Sequence, residues 1–491
     1  MSNMSEEIVA PIGPTGDNHT ARGHKLGVGT LALYGSGMLV QDTLGLGLGT
    51  LLLFYLTIVC GMSGSAAGLA LGIALVVDSF IDPLVGSLSD NSRSRHGRRH
   101  PYMLGAALPI AVGFGLLFSI PTGLSGAALF AYVFAMLMVI RVGLSFFQVP
   151  YIALGAELSD DYAERSTIVA WRVVFTVVAL MAAAFLAFGV FFKGHDGQLN
   201  RAAYAPYAWT CGGLVLVGAL LSTLGTLSSR HRLHAATQSG GASRMVAEVI
   251  EVFRNRSFTI LFGACLVLFI GLGFAGSLGL YANTYFWKLQ PAQILTITLV
   301  VPVGYFAGVF IAMALTRVLE KRWIAMIGIA MIGIGQLVPA VLKVAGVIPA
   351  GSDVLLLIVA GAFTGIGASC SLIGFQSMMA DAADEHEHLF GARREGLYFA
   401  GISFSAKASS GIGSLMAGFL LDIINFPHGA SSAVMAHIPA GTIVNVGLLQ
   451  GPGAAVITGI SVVVLMLYRR GKREHEEVSR ALADRRATAA G

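Results

Sequence analysis

The chain has 491 residues, of which 55% are hydrophobic and 12% charged, against ~25% charged in a typical soluble domain. With a mean hydropathy of +0.76, this composition excludes an ordinary soluble fold and leaves room for many spans of ~20 residues. The net charge of +5 would suggest a nucleic-acid partner in a soluble protein; in so apolar a chain it orients helices instead, and no nucleic-acid partner is expected.

The polar segment 1–26 lacks the short apolar core of a signal peptide. The apolar run after it is too long to be one, so the first span is expected to be its own insertion signal. Apolar segments fall at roughly 27–58, 65–89, 102–121, 126–156, 167–192 and 207–229, a first half over 27–229. A second half, 258–468, holds segments at 258–287, 292–316, 323–344, 353–381, 396–424 and 440–468. Several exceed ~20 residues, which predicts tilted or kinked helices, and Pro83 and Pro150 favour kinks. Between the halves lies a cytoplasmic loop, 230–257. Its later part, SRMVAEVIEVFRNRS, opens on Ser243 and places Met245, Val249, Ile250 and Phe253 on one face, which predicts a helix along the membrane surface. A basic tail, 469–491, reads as a topology anchor.

Lysine and arginine set the orientation. If both termini and the even-to-odd loops share one side, that side carries 24 of the 31 basic residues, the other side four, and the spans three. Such asymmetry predicts that both termini are cytoplasmic and that the number of spans is even. The expected fold is an all-α membrane protein of twelve transmembrane helices in two six-helix halves, the major-facilitator arrangement, with substrate bound between the halves. The four cysteines, Cys60, Cys211, Cys265 and Cys370, have neither metal spacing nor pairing partners.

Six ionisable residues lie inside spans away from their ends: Asp42, Asp78, Asp82, Arg141, Arg172 and Lys407. Charges at bilayer depth are expensive and mark function. Asp78 and Asp82 stand one turn apart on one helix face. Like charges so placed need a cation or a proton to coexist. Arg141, Ser145, Gln148 and Ile152 form a second stripe, whose guanidinium, hydroxyl and amide suit a polyhydroxylated solute.

Four motifs then carry a resemblance. GSLSDNSRSRHGRRHP, which includes Asp90, resembles the loop after the second span of major-facilitator transporters. With the preceding D-x-x-x-D-P it is similar to that of the glycoside–pentoside–hexuronide:cation symporters, the melibiose permease-like family. YGSGMLVQD, QVPYIALGAELSDDYAERSTIVAWR and DAADEHEHLFGARREGLYFAGISFSAK resemble further family segments in the right order. The resemblance implies that Asp42 and Arg172 bind sugar hydroxyls. It implies that Asp78 and Asp82 form the cation site, with Ser145 a nearby hydroxyl ligand and Lys407 adjacent. It also implies that Asp90, Arg165, Asp381, Asp384, Glu387 and Arg393 close a cytoplasmic gate. Three departures matter. Melibiose permease has an acid at Gln148, a tryptophan at Ile152 and an asparagine at Ile81. The first two argue against a simple galactoside, and Arg141 beside Gln148 suits a substrate with negative charge. The third removes an oxygen that sodium would want.

The expected function is therefore symport of a glycoside or related carbohydrate with a cation across a bacterial inner membrane, with Arg141 and Gln148 joining Asp42 and Arg172 as substrate contacts. A proton is the expected coupling ion; sodium at Asp78 and Asp82 is the alternative. No other cofactor, no obligate protein partner and no enzyme activity are expected. A carrier of lipid or another amphiphile on the same scaffold is the rival within transport. A membrane enzyme or a non-transporting sensor is the rival from another class, weakened by the lack of H-E-x-x-H or G-x-S-x-G motifs.

Overall fold

The computed structural model describes residues 26–92, 94, 97–159, 161–194, 197–228, 250–391, 395–429 and 438–468, with a few residues of the tail. Among the described residues, eleven helices are long and apolar enough to cross a membrane. They are α1 (Val28–Val59), α2 (Gly64–Asp90), α3 (His100–Leu117), α4 (Gly126–Glu157), α5 (Glu164–Phe191), α6 (Arg201–Thr226), α7 (Arg256–Phe286), α8 (Pro291–Leu315), α9 (Lys321–Val344), α10 (Asp353–Phe390) and, last in the chain, α12 (Ala440–Met466). The remaining predicted span is α11 (Glu395–Ile423), 29 residues long, or ~43 Å at 1.5 Å per residue. The twelve predicted spans are thus all helical, and no strand occurs among the described residues.

Local chemistry sets the helix starts. The Ser63 hydroxyl accepts the Ala66 N–H at the head of α2, and the Asp161 carboxylate accepts the Glu164 N–H before α5, which satisfies N–H groups the helices cannot. Pro83 and Pro150 lie inside α2 and α4. In α1 two π-helical turns, Gly47–Leu51 and Tyr55–Val59, re-aim the side chains beyond them. Of the predicted surface helix, residues up to 249 lie outside those described; 250–254 are helical. Ile250 and Phe253 are exposed as expected, but Val252 is buried in the core of the second half. This end of the segment is docked on the bundle through Val252.

The halves, α1–α6 and α7–α12, meet along α2 with α11, α1 with α7 and α5 with α8. The bundle has a sparse end, with few basic residues, and a basic end. At the sparse end the halves are fastened together. The Asp422 carboxylate, at the end of α11, accepts the N–H groups of Gly64 and Ser65 at 2.8 and 2.7 Å, meeting the exposed donors and positive dipole end of α2. His428 Nε2 lies 3.1 Å from the same carboxylate. The Gly429 N–H donates to Thr57 O at 3.0 Å, and the Tyr281 hydroxyl donates to Leu53 O at 3.1 Å while contacting the Thr57 hydroxyl.

Candidate functional site

Asp78 sits near the middle of α2, and three helices converge on it. From α4, Ser145 Oγ donates to Asp78 Oδ1 at 2.7 Å. From α11, in the other half, Lys407 Nζ reaches 2.5 Å from Asp82 Oδ2 and 3.5 Å from Asp78 Oδ2. The Asp78 side chain is 2% exposed, Asp82 25% and Lys407 33%. Ser145 and Lys407 are partners that offset the cost of burying the Asp78 carboxylate. One lysine shared by two carboxylates is therefore the electrostatic bridge between the halves. Asp82 Oδ1 has no hydrogen-bond partner.

Arg141 lies one turn before Ser145 on α4. Its guanidinium is within electrostatic reach of Asp78, yet its Nε has no hydrogen-bond partner. The sequence grouped Arg141 with the substrate contacts, and in the structure it also lies in the electrostatic field of Asp78.

The second group forms between α1, α4 and α5. Thr176, one turn beyond Arg172, hydrogen-bonds Asp42, and Arg172 lies in the electrostatic field of that carboxylate. The Arg172 guanidinium also stands 5.7 Å from the Tyr151 ring centroid, a cation–π approach, and Tyr151 stacks on Tyr34 at 4.7 Å. Asp42 Oδ2, Arg172 Nε and Gln148 Oε1 have no hydrogen-bond partners. Polar atoms left over at bilayer depth are costly unless something else meets them. Ile152, on the same stripe of α4 as the buried Ser145 and Gln148, is 46% exposed. Thr176 and Tyr151 were not singled out in the sequence. The i+4 spacing from Arg172 was the available signal for Thr176.

Several of the gate residues have partners within their own half. Asp90 pairs with Arg99 at 3.1 Å, and Glu157 contacts both Arg98 and Arg99; these pairs tie α2, α3 and α4 within the first half. Asp381 receives Lys321 at 2.7 Å within the second half. Arg165 Nε donates to Ser159 O at 2.7 Å. Asp384 and Glu387 lie on the basic-end turns of α10. Arg393 lies outside the described residues.

A family model described as MFS/sugar transport protein matches residues 33–468. The chain belongs to this family. Among curated relatives, an uncharacterised symporter of Synechocystis sp. is 26% identical over 453 residues, covering 76% of this chain and 82% of the relative. The isoprimeverose transporter of Lactiplantibacillus pentosus is 23% identical over 439 residues, covering 87% of this chain and 85% of that protein. The solved D-xylose-proton symporter superposes with a TM-score of 0.60 at 14% identity, covering 90% of this chain and 97% of that one. That likeness establishes the major-facilitator fold.

In this sugar-transport family member the residues at the carboxylate pair fit a sodium ion poorly. Hard cations take several oxygen ligands. Here Lys407 Nζ stands between the two carboxylates, Asp78 Oδ1 receives the Ser145 proton, and the residue between the acids is Ile81.

Proposed function

We propose that this multi-pass membrane protein is a secondary active transporter carrying a glycoside or related carbohydrate together with a proton across a bacterial inner membrane. The basic end and both termini lie in the cytoplasm. The reading rests on one observation above all: a lysine of the second half shared by two carboxylates of the first, next to a separate Asp42–Arg172 group with unmet hydrogen-bonding capacity. Family membership supports carbohydrate as the substrate class, as does a relative named as an isoprimeverose transporter.

The chemistry is non-covalent. Asp42 and Arg172 clamp substrate hydroxyls with charge-assisted hydrogen bonds, and Gln148 supplies an amide. A proton taken up by the carboxylate pair removes the repulsion between Asp78 and Asp82 and releases Lys407 from one partner. Substrate and proton then each bind better with the other present, and the halves rock around the midplane. The fastened sparse end supports a state closed on that side. Asp90, Arg165, Asp381, Asp384, Glu387 and Arg393 would help close the basic end in the opposite state. Gln148 and Ile152, in place of an acid and a tryptophan, argue for a substrate other than a simple galactoside.

The test is uptake into proteoliposomes of a panel of glycosides, pentoses and uronides, under an inward proton or sodium gradient. Accumulation of at least one carbohydrate on the proton gradient is expected. No uptake of any carbohydrate under either gradient would refute the reading, and melibiose-like galactosides as the best substrates would refute its specificity.

A further inference from the structure

The carboxylate site differs from a sodium site in a way that its charges explain. Two anions, Asp78 and Asp82 on α2, face two cations, Lys407 on α11 and Arg141 on α4. Lys407 contacts both carboxylates, and Arg141 lies in the field of Asp78. Their sum is zero with no ion bound. A carboxylate pair with Lys407 alone would carry one net negative charge, which a monovalent metal ion could neutralise. Arg141 supplies that charge permanently, because a guanidinium does not lose its proton in a protein.

Resting on the transport reading above, we infer that Arg141 is a built-in counter-cation that stands in for a coupling metal ion and makes this symporter refuse sodium. Three features support it. The guanidinium lies close enough to feel Asp78, and its Nε has no hydrogen-bond partner among the described residues, so its charge is not spent on an Nε contact. It lies one turn from Ser145, the hydroxyl that holds Asp78, so both act on the same carboxylate from the same helix. And sodium needs several oxygen ligands at once, for which it would compete with Ser145 and Lys407 at these carboxylates, whereas a proton needs a single carboxylate oxygen. Arg141 thereby leaves the substrate group and becomes the residue that sets ion specificity.

Sodium itself is the probe, so the test needs no identified sugar. Purified, monodisperse full-length protein is heated in about 100 mM NaCl or choline chloride at fixed pH; a ligand that binds only the folded state raises the melting temperature. The wild type is expected to melt within about a degree in the two salts, and Arg141→Met and Arg141→Gln to gain several degrees in sodium. Arg141→Lys, which keeps the charge, should behave as the wild type. Calorimetric titration with NaCl should agree: heat of binding for the neutral variants, none for the wild type. Sodium stabilisation of the wild type would overturn the inference. So would folded Met and Gln variants that ignore sodium, or a Lys variant that binds it. If both neutral variants fail to fold while Arg141→Lys folds, the charge itself is what the carboxylates need, which supports the counter-cation role. Carbohydrate uptake is measured separately. A wild type that moves no carbohydrate would sink the transport reading while leaving the sodium result to stand or fall alone.

Discussion

The two ends of the α2–α11 seam are built from opposite materials. From Gly64 to Leu75 the helices touch backbone to backbone. A Cβ on Gly418 would stand 2.1 Å from the Gly64 carbonyl oxygen, and Leu75 fills the space over Gly411. Small residues let helices approach this closely in lipid, and Asp422 then caps the N-terminus of α2 from the facing helix. From Asp78 onward the same seam carries Lys407 and two carboxylates, and it becomes partly open, with Lys407 a third exposed. One end is a close-packed contact that mid-membrane protonation cannot loosen directly. The other is an ion cluster whose strength depends on what is bound. A helix pair tight at one end and chargeable at the other is suited to act as a pivot.

Breaking the tight end should have the largest effect. Gly418→Ala places a methyl group where backbone stands, and backbone cannot move aside cheaply. It should abolish transport in folded protein and raise thiol reactivity at a cysteine introduced at Thr57. Wild-type uptake by the variant would show that the seam does not need to close this far. Next come the substrate contacts. Asp42→Ala and Arg172→Ala should each weaken carbohydrate binding by about 10- to 100-fold, the scale of a charge-assisted hydrogen bond, measured by calorimetry on monodisperse protein. Unchanged affinity in either would make that residue a structural ion partner. The smallest effect belongs to Asp422→Asn. It keeps the shape and removes the charge at the head of α2, a loss of about 0.5–1 kcal/mol. The closed sparse end should be less populated by a few-fold, seen as faster labelling at the same introduced cysteine with transport retained. No change in labelling would mean that glycine packing alone holds the seam.

Much of this was legible in the sequence because it is local. Span lengths, the i, i+4 carboxylates and the asymmetry of basic residues are read within one helix or loop. The family motifs added Ser145 and Lys407, which the structure brings to Asp78 and Asp82. What was hidden joins distant segments. Asp422 and Gly64 are 358 positions apart, and nothing in either segment names the other. Glycine at 64 and 418 was indistinguishable from the other sixty, since each could serve any helix contact. For Arg141 the stripe was legible and the neighbour was not: periodicity says which residues share a face, not which charge that face meets. Glu157, paired with Arg98 and Arg99, was hidden likewise, because its helix end and the arginine loop meet only in the folded half.

The central claim is that Asp78 and Asp82 couple an ion to the substrate. The most direct measurement compares two assays on the same proteoliposomes, for wild type, Asp78→Asn and Asp82→Asn: accumulation against a concentration gradient under an inward proton gradient, and exchange of labelled for unlabelled carbohydrate at equilibrium. With the carboxylate gone, the account predicts that exchange continues while accumulation falls to equilibration in both variants. Wild-type accumulation in both would contradict it.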